Sequence, residues 1–192
     1  QYMMYAFTSF FNGSMTAVPA KIIPLIFGIL LLGLLYSIAR IFSDRETSLL
    51  AVLLFIAMYY YSNLLIYSNT DITVAFYVVA AIYLLLKIVK EPLAMNYLLF
   101  AILTALAYWT KYTALVPLII VWTVLAAYSF AAHKKMFVVT GVVTLLLISP
   151  HLIYNFLQAG NPLYPSFSSL LGGKGITQWY ETNVISLYLP KP

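Results

Sequence analysis

Two charged residues offer the most chemistry in a chain otherwise short of charge. Asp71 closes the sequence Asn69-Thr70-Asp71 just before an apolar run, and Lys111 is the lone charge between Leu93 and Ala132. An ammonium held at membrane depth is a point-charge partner for phosphate, here the phosphate of a lipid. The Asp71 carboxylate can face an outer site. Asn155, Asn161, Tyr112 and Tyr164 add hydrogen-bonding groups, with Tyr67 and Tyr154 near them in sequence. Each charge also has a plainer reading. Asn69, Thr70 and Asp71 can cap free N–H groups and complement a helix dipole. Lys111 can be a lysine snorkelling from a helix end. For Asp71 the two readings are compatible.

Other chemistries find no support. There are no cysteines, and His133 and His151 are the only histidines, so neither a thiolate nor a His-rich metal site is expected. His151, directly after Pro150, reads as a packed or interfacial residue. No phosphate-binding G-x-x-x-x-G-K-S/T loop, G-x-S-x-G elbow or H-E-x-x-H pair is present. No cofactor is called for, and the residues leave the question of a divalent metal open.

The elements that must position these residues are apolar helices. Apolar residues make up 64% of the 192 positions and charged residues 8%, against about 25% charged in a soluble domain. So much apolar surface needs lipid to solvate it. The apolar runs are continuous, whereas a transmembrane barrel needs alternation. The fold class expected is therefore all-α, a polytopic transmembrane bundle. Spans are predicted at about 22–42, 49–67, 72–89, 94–110, 113–132 and 136–156. The stretch 93–132 is too long for one span, which needs roughly 20 residues, so it divides near Trp109-Thr110-Lys111-Tyr112-Thr113. Residues 1–20 are aromatic-rich and suit the membrane interface. Gly160-Asn161-Pro162 ends the last span, and 166–192 is expected to be a loop on the outer face. The start at Gln1 reads as a piece of a longer protein.

The charges then orient the bundle. Arg40, Arg45, Lys87, Lys90, Lys134 and Lys135 fall in alternate turns, with Asp44, Glu46 and Glu91 among them. The positive-inside rule puts those turns in the cytoplasm. The opposite face receives residues 1–21, the 68–71 turn, the 109–113 turn and everything after about Asn155. The net charge of +5 is thus topological and implies no nucleic-acid partner. Only about 15 residues separate Asn96 from Lys111, or ~22 Å of helix against a ~30 Å core. That places Lys111 slightly below the outer surface.

Four segments, in order and each on the matching side, resemble GT-C membrane glycosyltransferases. The nearest likeness is to glycosyltransferase family 39, the group of protein O-mannosyltransferases and aminoarabinose lipid A transferases. The segments are Pro24-Leu25-Ile26-Phe27-Gly28 with Tyr36-Ser37-Ile38-Ala39-Arg40-Ile41-Phe42; Asn69-Thr70-Asp71 with Phe76-Tyr77; Thr110-Lys111-Tyr112-Thr113-Ala114-Leu115; and Pro150-His151-Leu152-Ile153-Tyr154-Asn155 with Gly160-Asn161-Pro162-Leu163-Tyr164-Pro165. They cover most of residues 20–165, so residues 1–165 are read as a partial GT-C-like domain. His151 and Tyr154 stand where the family pattern often has Trp and Arg, which removes a cation that could help bind an anionic donor.

The resemblance implies an inverting transferase that moves a sugar from a polyprenyl-phosphate donor, of the mannosyltransferase type, to an acceptor hydroxyl on the exoplasmic face. The acceptor is a protein, lipid or glycan, and the setting is the plasma membrane, or the endoplasmic reticulum in a eukaryote. By the same resemblance Lys111 and Tyr112 meet the donor phosphate, Asp71 is a supporting catalytic carboxylate, and Asn155, Asn161 and Tyr164 line the outer rim of the substrate site. The family's catalytic carboxylate belongs to the first outer loop. Residues 1–20 contain no Asp or Glu, so that group is expected outside this sequence. The rival readings are a non-catalytic lipid-binding membrane subunit and a transporter. A transporter usually gathers polar groups near the midplane, whereas here they gather at one face.

Overall fold

The computed structural model describes residues 18–66, 70–164 and 171–173. The aromatic stretch 1–17, the Tyr67-Ser68-Asn69 turn and most of the 166–192 loop lie outside the described residues. The described chain is helical: α1 (Val18–Phe42), α2 (Arg45–Ile56), α3 (Tyr59–Ile66), α4 (Thr70–Lys90), α5 (Ala94–Thr110), a 3₁₀ turn (Tyr112–Ala114), α6 (Leu115–Ala132) and α7 (Lys134–Ala159). Among the described residues, four segments are long and apolar enough to cross a membrane: Ile22–Phe42, Thr70–Lys90, Tyr112–Phe130 and Lys134–Ala159. Helix α5 is apolar but shorter, at 17 residues. This is an all-α polytopic membrane bundle. Contacts divide the chain into two units, residues 1–144 and 145–192.

The second predicted span is where sequence and structure part. One helix was expected over 49–67, but the chain breaks at Ala57 and Met58 into two shorter helices. Neither Gly nor Pro marks the break. Its consequence is packing: the Tyr61 ring lies 5.1 Å from that of Phe55, and α3 comes hard against α1 at Gly28. A Cβ built at Gly28 would lie 2.5 Å from Leu65 Cδ2 and 3.2 Å from the Tyr61 hydroxyl. The missing Cβ leaves room for these two side-chain tips, as small residues generally do between membrane helices.

Among the described residues of the first unit, apolar side chains gather in two places. In one, Leu31 of α1, Tyr61 of α3 and Ile72 of α4 are buried together, with Leu35, Leu65 and Phe76 around them. Phe27 adds an edge contact to Phe76 at 5.2 Å and a tilted one to Tyr77 at 5.5 Å. In the other, Ala81, Leu84, Leu85 and Ile88 of α4 meet Tyr97 and Phe100 of α5 and Val121 and Leu125 of α6. Lipid tails are as apolar as leucine, so close packing and interhelical hydrogen bonds hold such helices together. Tyr97 Oη and Ser129 Oγ supply one such bond, buried, at 2.9 Å. The outward faces remain apolar: Leu50, Leu53 and Leu54 of α2 and Val116, Ile119 and Ile120 of α6 are all exposed by the protein, as lipid contact requires.

Helix ends follow local chemistry. Asp44 caps α2, its Oδ1 accepting from the Thr47 amide at 2.8 Å. That bond, ahead of the nearby Arg40, holds the exposed Asp44 carboxyl below the ordinary carboxylate value. In α7, Pro150 has no N–H to give to the Leu146 carbonyl. The neighbouring Ser149 hydroxyl donates to that oxygen instead, at 2.9 Å, so the helix continues through the proline. It stops at Gly160, whose φ of +75° is a left-handed terminator; the Gly160 amide donates to the Phe156 carbonyl at 2.8 Å.

Candidate functional site

Lys111 is placed by a break in the helix. Its backbone is extended (φ −161°, ψ 129°) and ends α5, with its amide donating to the Ala107 carbonyl at 3.2 Å. The Thr110 hydroxyl donates back to the Leu106 carbonyl at 2.7 Å, and β-branched Thr113 follows. The Ala114 amide donates to the Lys111 carbonyl at 3.0 Å, closing the 3₁₀ turn. Pro117 sits in the first turn of α6, where its missing N–H costs nothing.

Asp71 lies in the first turn of α4. The extended Lys111 points its side chain to that turn, and Nζ donates to Asp71 Oδ1 at 2.5 Å. Both side chains are 34% exposed. Each charge occupies the helix end that favours it: the carboxylate an N-terminus, the ammonium a C-terminus. The plain and functional readings of Asp71 thus coexist in one geometry. Tyr112, beside Lys111, is exposed, as is Trp109 one turn back.

The other end of these helices carries the basic turns. Lys90 lies 19 residues beyond Asp71 on α4, roughly 28 Å along the axis at 1.5 Å per residue. The Tyr128 hydroxyl donates to the Val89 carbonyl at 3.1 Å, which puts the end of α6, and Lys134 after it, alongside the end of α4. The Lys134 ammonium stands 5.3 Å over the Phe130 ring and that of Lys87 5.3 Å over the Tyr83 ring. Within this unit, then, Asp71 and Lys111 share one end and Lys87, Lys90, Lys134 and Lys135 the other.

Asn155, Asn161 and Tyr164 belong to the second unit. The Asn155 amide nitrogen donates to the Tyr164 carbonyl at 3.1 Å and the Pro162 carbonyl at 3.3 Å, and approaches His151 Nδ1 at 3.4 Å. Asn161 is fully buried: Oδ1 accepts from the Leu163 amide at 2.9 Å and Nδ2 donates to the Gly172 carbonyl at 3.1 Å. These amides therefore tie the turn after α7 together. Tyr164 is partly buried, and its ring covers Gly173, where a Cβ would sit 3.1 Å away. Gly172 as an anchor was missed from sequence; the Gly172-Gly173 pair was its only signal. Tyr154 is exposed, and Tyr67 lies outside the described residues. Among the described residues no group of three His, Asp or Glu side chains gathers as metal ligands would.

Fold and site together define an integral membrane protein of bundled helices, with an opposite-charge pair at one end and basic turns at the other. More particularly, the chain belongs to the dolichyl-phosphate-mannose-protein mannosyltransferase family, whose model matches residues 1–154. That is a family of glycosyltransferases that draw on polyprenyl-phosphate-linked sugars. No curated protein and no solved structure matches the chain.

Proposed function

We propose that the protein transfers a sugar from a polyprenyl-phosphate donor to an acceptor hydroxyl on the exoplasmic face of the membrane, with inversion at the anomeric carbon. One observation carries the reading: Lys111 meets Asp71 at the end of α4 and α5 remote from the basic turns. Those turns face the cytoplasm by the positive-inside rule, so the pair faces outward.

In the reaction the acceptor oxygen bonds to the anomeric carbon as the bond from that carbon to the lipid phosphate oxygen breaks. The phosphate leaves with the electron pair, and the hydroxyl proton passes to a carboxylate. Lys111 stabilises the charge that grows on the phosphate, with Tyr112 beside it. Asp71, already paired with Lys111, is the supporting carboxylate: it holds the ammonium in place. The proton acceptor belongs to the first outer loop of the family pattern. Asn155 and Asn161 contribute by keeping the Tyr164 turn in shape. The acceptor is a protein, lipid or glycan hydroxyl; the membrane is the plasma membrane, or the endoplasmic reticulum in a eukaryote.

The test is sugar transfer from a synthetic polyprenyl-phosphate-sugar by the full-length protein in liposomes, against Lys111→Ala. A loss of turnover with retained fold supports the phosphate role, and unchanged transfer removes it. Donor binding without any turnover by the wild type would favour the non-catalytic reading.

A further inference from the structure

The first halves of α5 and α7 leave between them a groove of about 330 Å³. Its walls are Ala94, Met95 and Leu98 of α5 and Met136, Val139 and Val143 of α7. Tyr97 and Thr140 also border it, but their hydroxyls are engaged elsewhere: Tyr97 with Ser129, and Thr140 with the Met136 carbonyl at 2.7 Å. The lining is therefore hydrocarbon. The two methionines can adapt to an irregular chain.

One mouth of the groove is fixed by the starts of its two helices, at Ala94 and Lys134. Lys134 and Lys135 precede the lining residue Met136, and both are exposed. Lys87 and Lys90 close α4 just before α5, with Glu91 the one acid in that turn. A hydrocarbon channel thus opens at a basic membrane boundary. The volume sits at the low end of ligand pockets, about 300–1,000 Å³, and suits one hydrocarbon chain.

We propose that this groove holds one acyl chain of an anionic phospholipid whose phosphate is bound by Lys134 and Lys135. Basic pockets between transmembrane helices hold anionic headgroups by the same logic. The site lies at the end of α5 opposite Lys111, so it stands independently of the catalytic reading.

The experiment reconstitutes the full-length protein in phosphatidylcholine vesicles containing phosphatidylglycerol, each lipid carrying a photoactivatable acyl chain in turn. Crosslinked residues are mapped by mass spectrometry. The expected result is phosphatidylglycerol labelling at Met95, Leu98, Met136 or Val139 in excess over phosphatidylcholine. Each lysine near a membrane surface contributes about 1 kcal/mol toward anionic lipid, or roughly five-fold, so Lys134→Gln with Lys135→Gln should cut the preference roughly 25-fold. Val139→Trp fills the groove from a position half exposed already and should lower labelling by both lipids while leaving the lysines intact. Equal labelling by the two lipids in the wild type, a preference that survives the double substitution, or labelling unmoved by Val139→Trp would overturn the proposal. So would a groove closed to both lipids because another segment of the protein occupies it.

Discussion

If Asp71 acts only by holding Lys111, removing the two should not cost twice. The pair meets at 2.5 Å with both side chains about a third exposed. Exposed ion pairs contribute about 0.2–1 kcal/mol, and breaking a buried one costs about 3–5 kcal/mol. A pair at the membrane boundary falls between, at about 1–2 kcal/mol, or roughly 5- to 30-fold. Lys111→Met removes a charge aimed at the leaving phosphate and should cost about 10²–10³ in turnover. Asp71→Asn leaves that charge present but loosely held, and should cost roughly ten-fold. With Lys111 already gone, Asp71→Asn should cost almost nothing more, because groups acting as a unit are not additive. The assay is initial-rate sugar transfer in liposomes by the four proteins, with helicity and monodispersity checked for each. A double variant slower than Lys111→Met by the full Asp71→Asn factor would refute the reasoning, since Asp71 would then act on its own account.

Other outcomes follow from the same geometry. Gly28→Ala should shift thermal stability in detergent by less than about 1 kcal/mol, because the side-chain tips of Leu65 and Tyr61 can give way and alanine favours the helix. Gly28→Leu should destabilise by about 1–3 kcal/mol by overpacking. Asn161→Ala leaves the part-buried Leu163 amide without its acceptor and should cost about 1–3 kcal/mol, read as faster amide exchange or proteolysis at Pro162–Tyr164. Acid should loosen the start of α2. The Asp44 carboxyl is held below its unfolded value by the Thr47 amide, so its stabilising effect is complete above the unfolded value and disappears as pH falls through the folded one. Amide exchange at Thr47, taken relative to Asp44→Asn at each pH, should rise only in that acid range.

Much of the fold was legible in the sequence because each signal was local. Charge clusters at Arg40–Glu46, Lys87–Glu91 and His133–Lys135 stop apolar runs wherever they stand, since charge cannot be carried into hydrocarbon cheaply. Lys111 divided its long run for the same reason. The break at Ala57–Met58 left no such mark. It lies in a continuous apolar run without Gly or Pro, and what goes with it is the fit of Tyr61 and Leu65 against Gly28, some thirty residues earlier.

The candidate site divides in the same way. Residue types named Asp71 and Lys111, and their positions at run ends placed each near a membrane boundary. That they bond to each other across 40 residues depends on α4 and α5 packing as antiparallel neighbours. Asn155 and Asn161 were drawn from sequence as rim groups facing substrate; folding turns their amides onto the Tyr164 and Gly172 carbonyls, because a tight turn after α7 leaves backbone groups that only nearby side chains can reach. The sequence by itself determined that the chain lives in lipid as apolar helices with their charges sorted by end, since burial of charge in hydrocarbon is too costly for any other order. Only the tertiary structure decided which charges become partners, which amides are consumed by the fold and where a groove remains, since those depend on contacts between residues far apart in the chain.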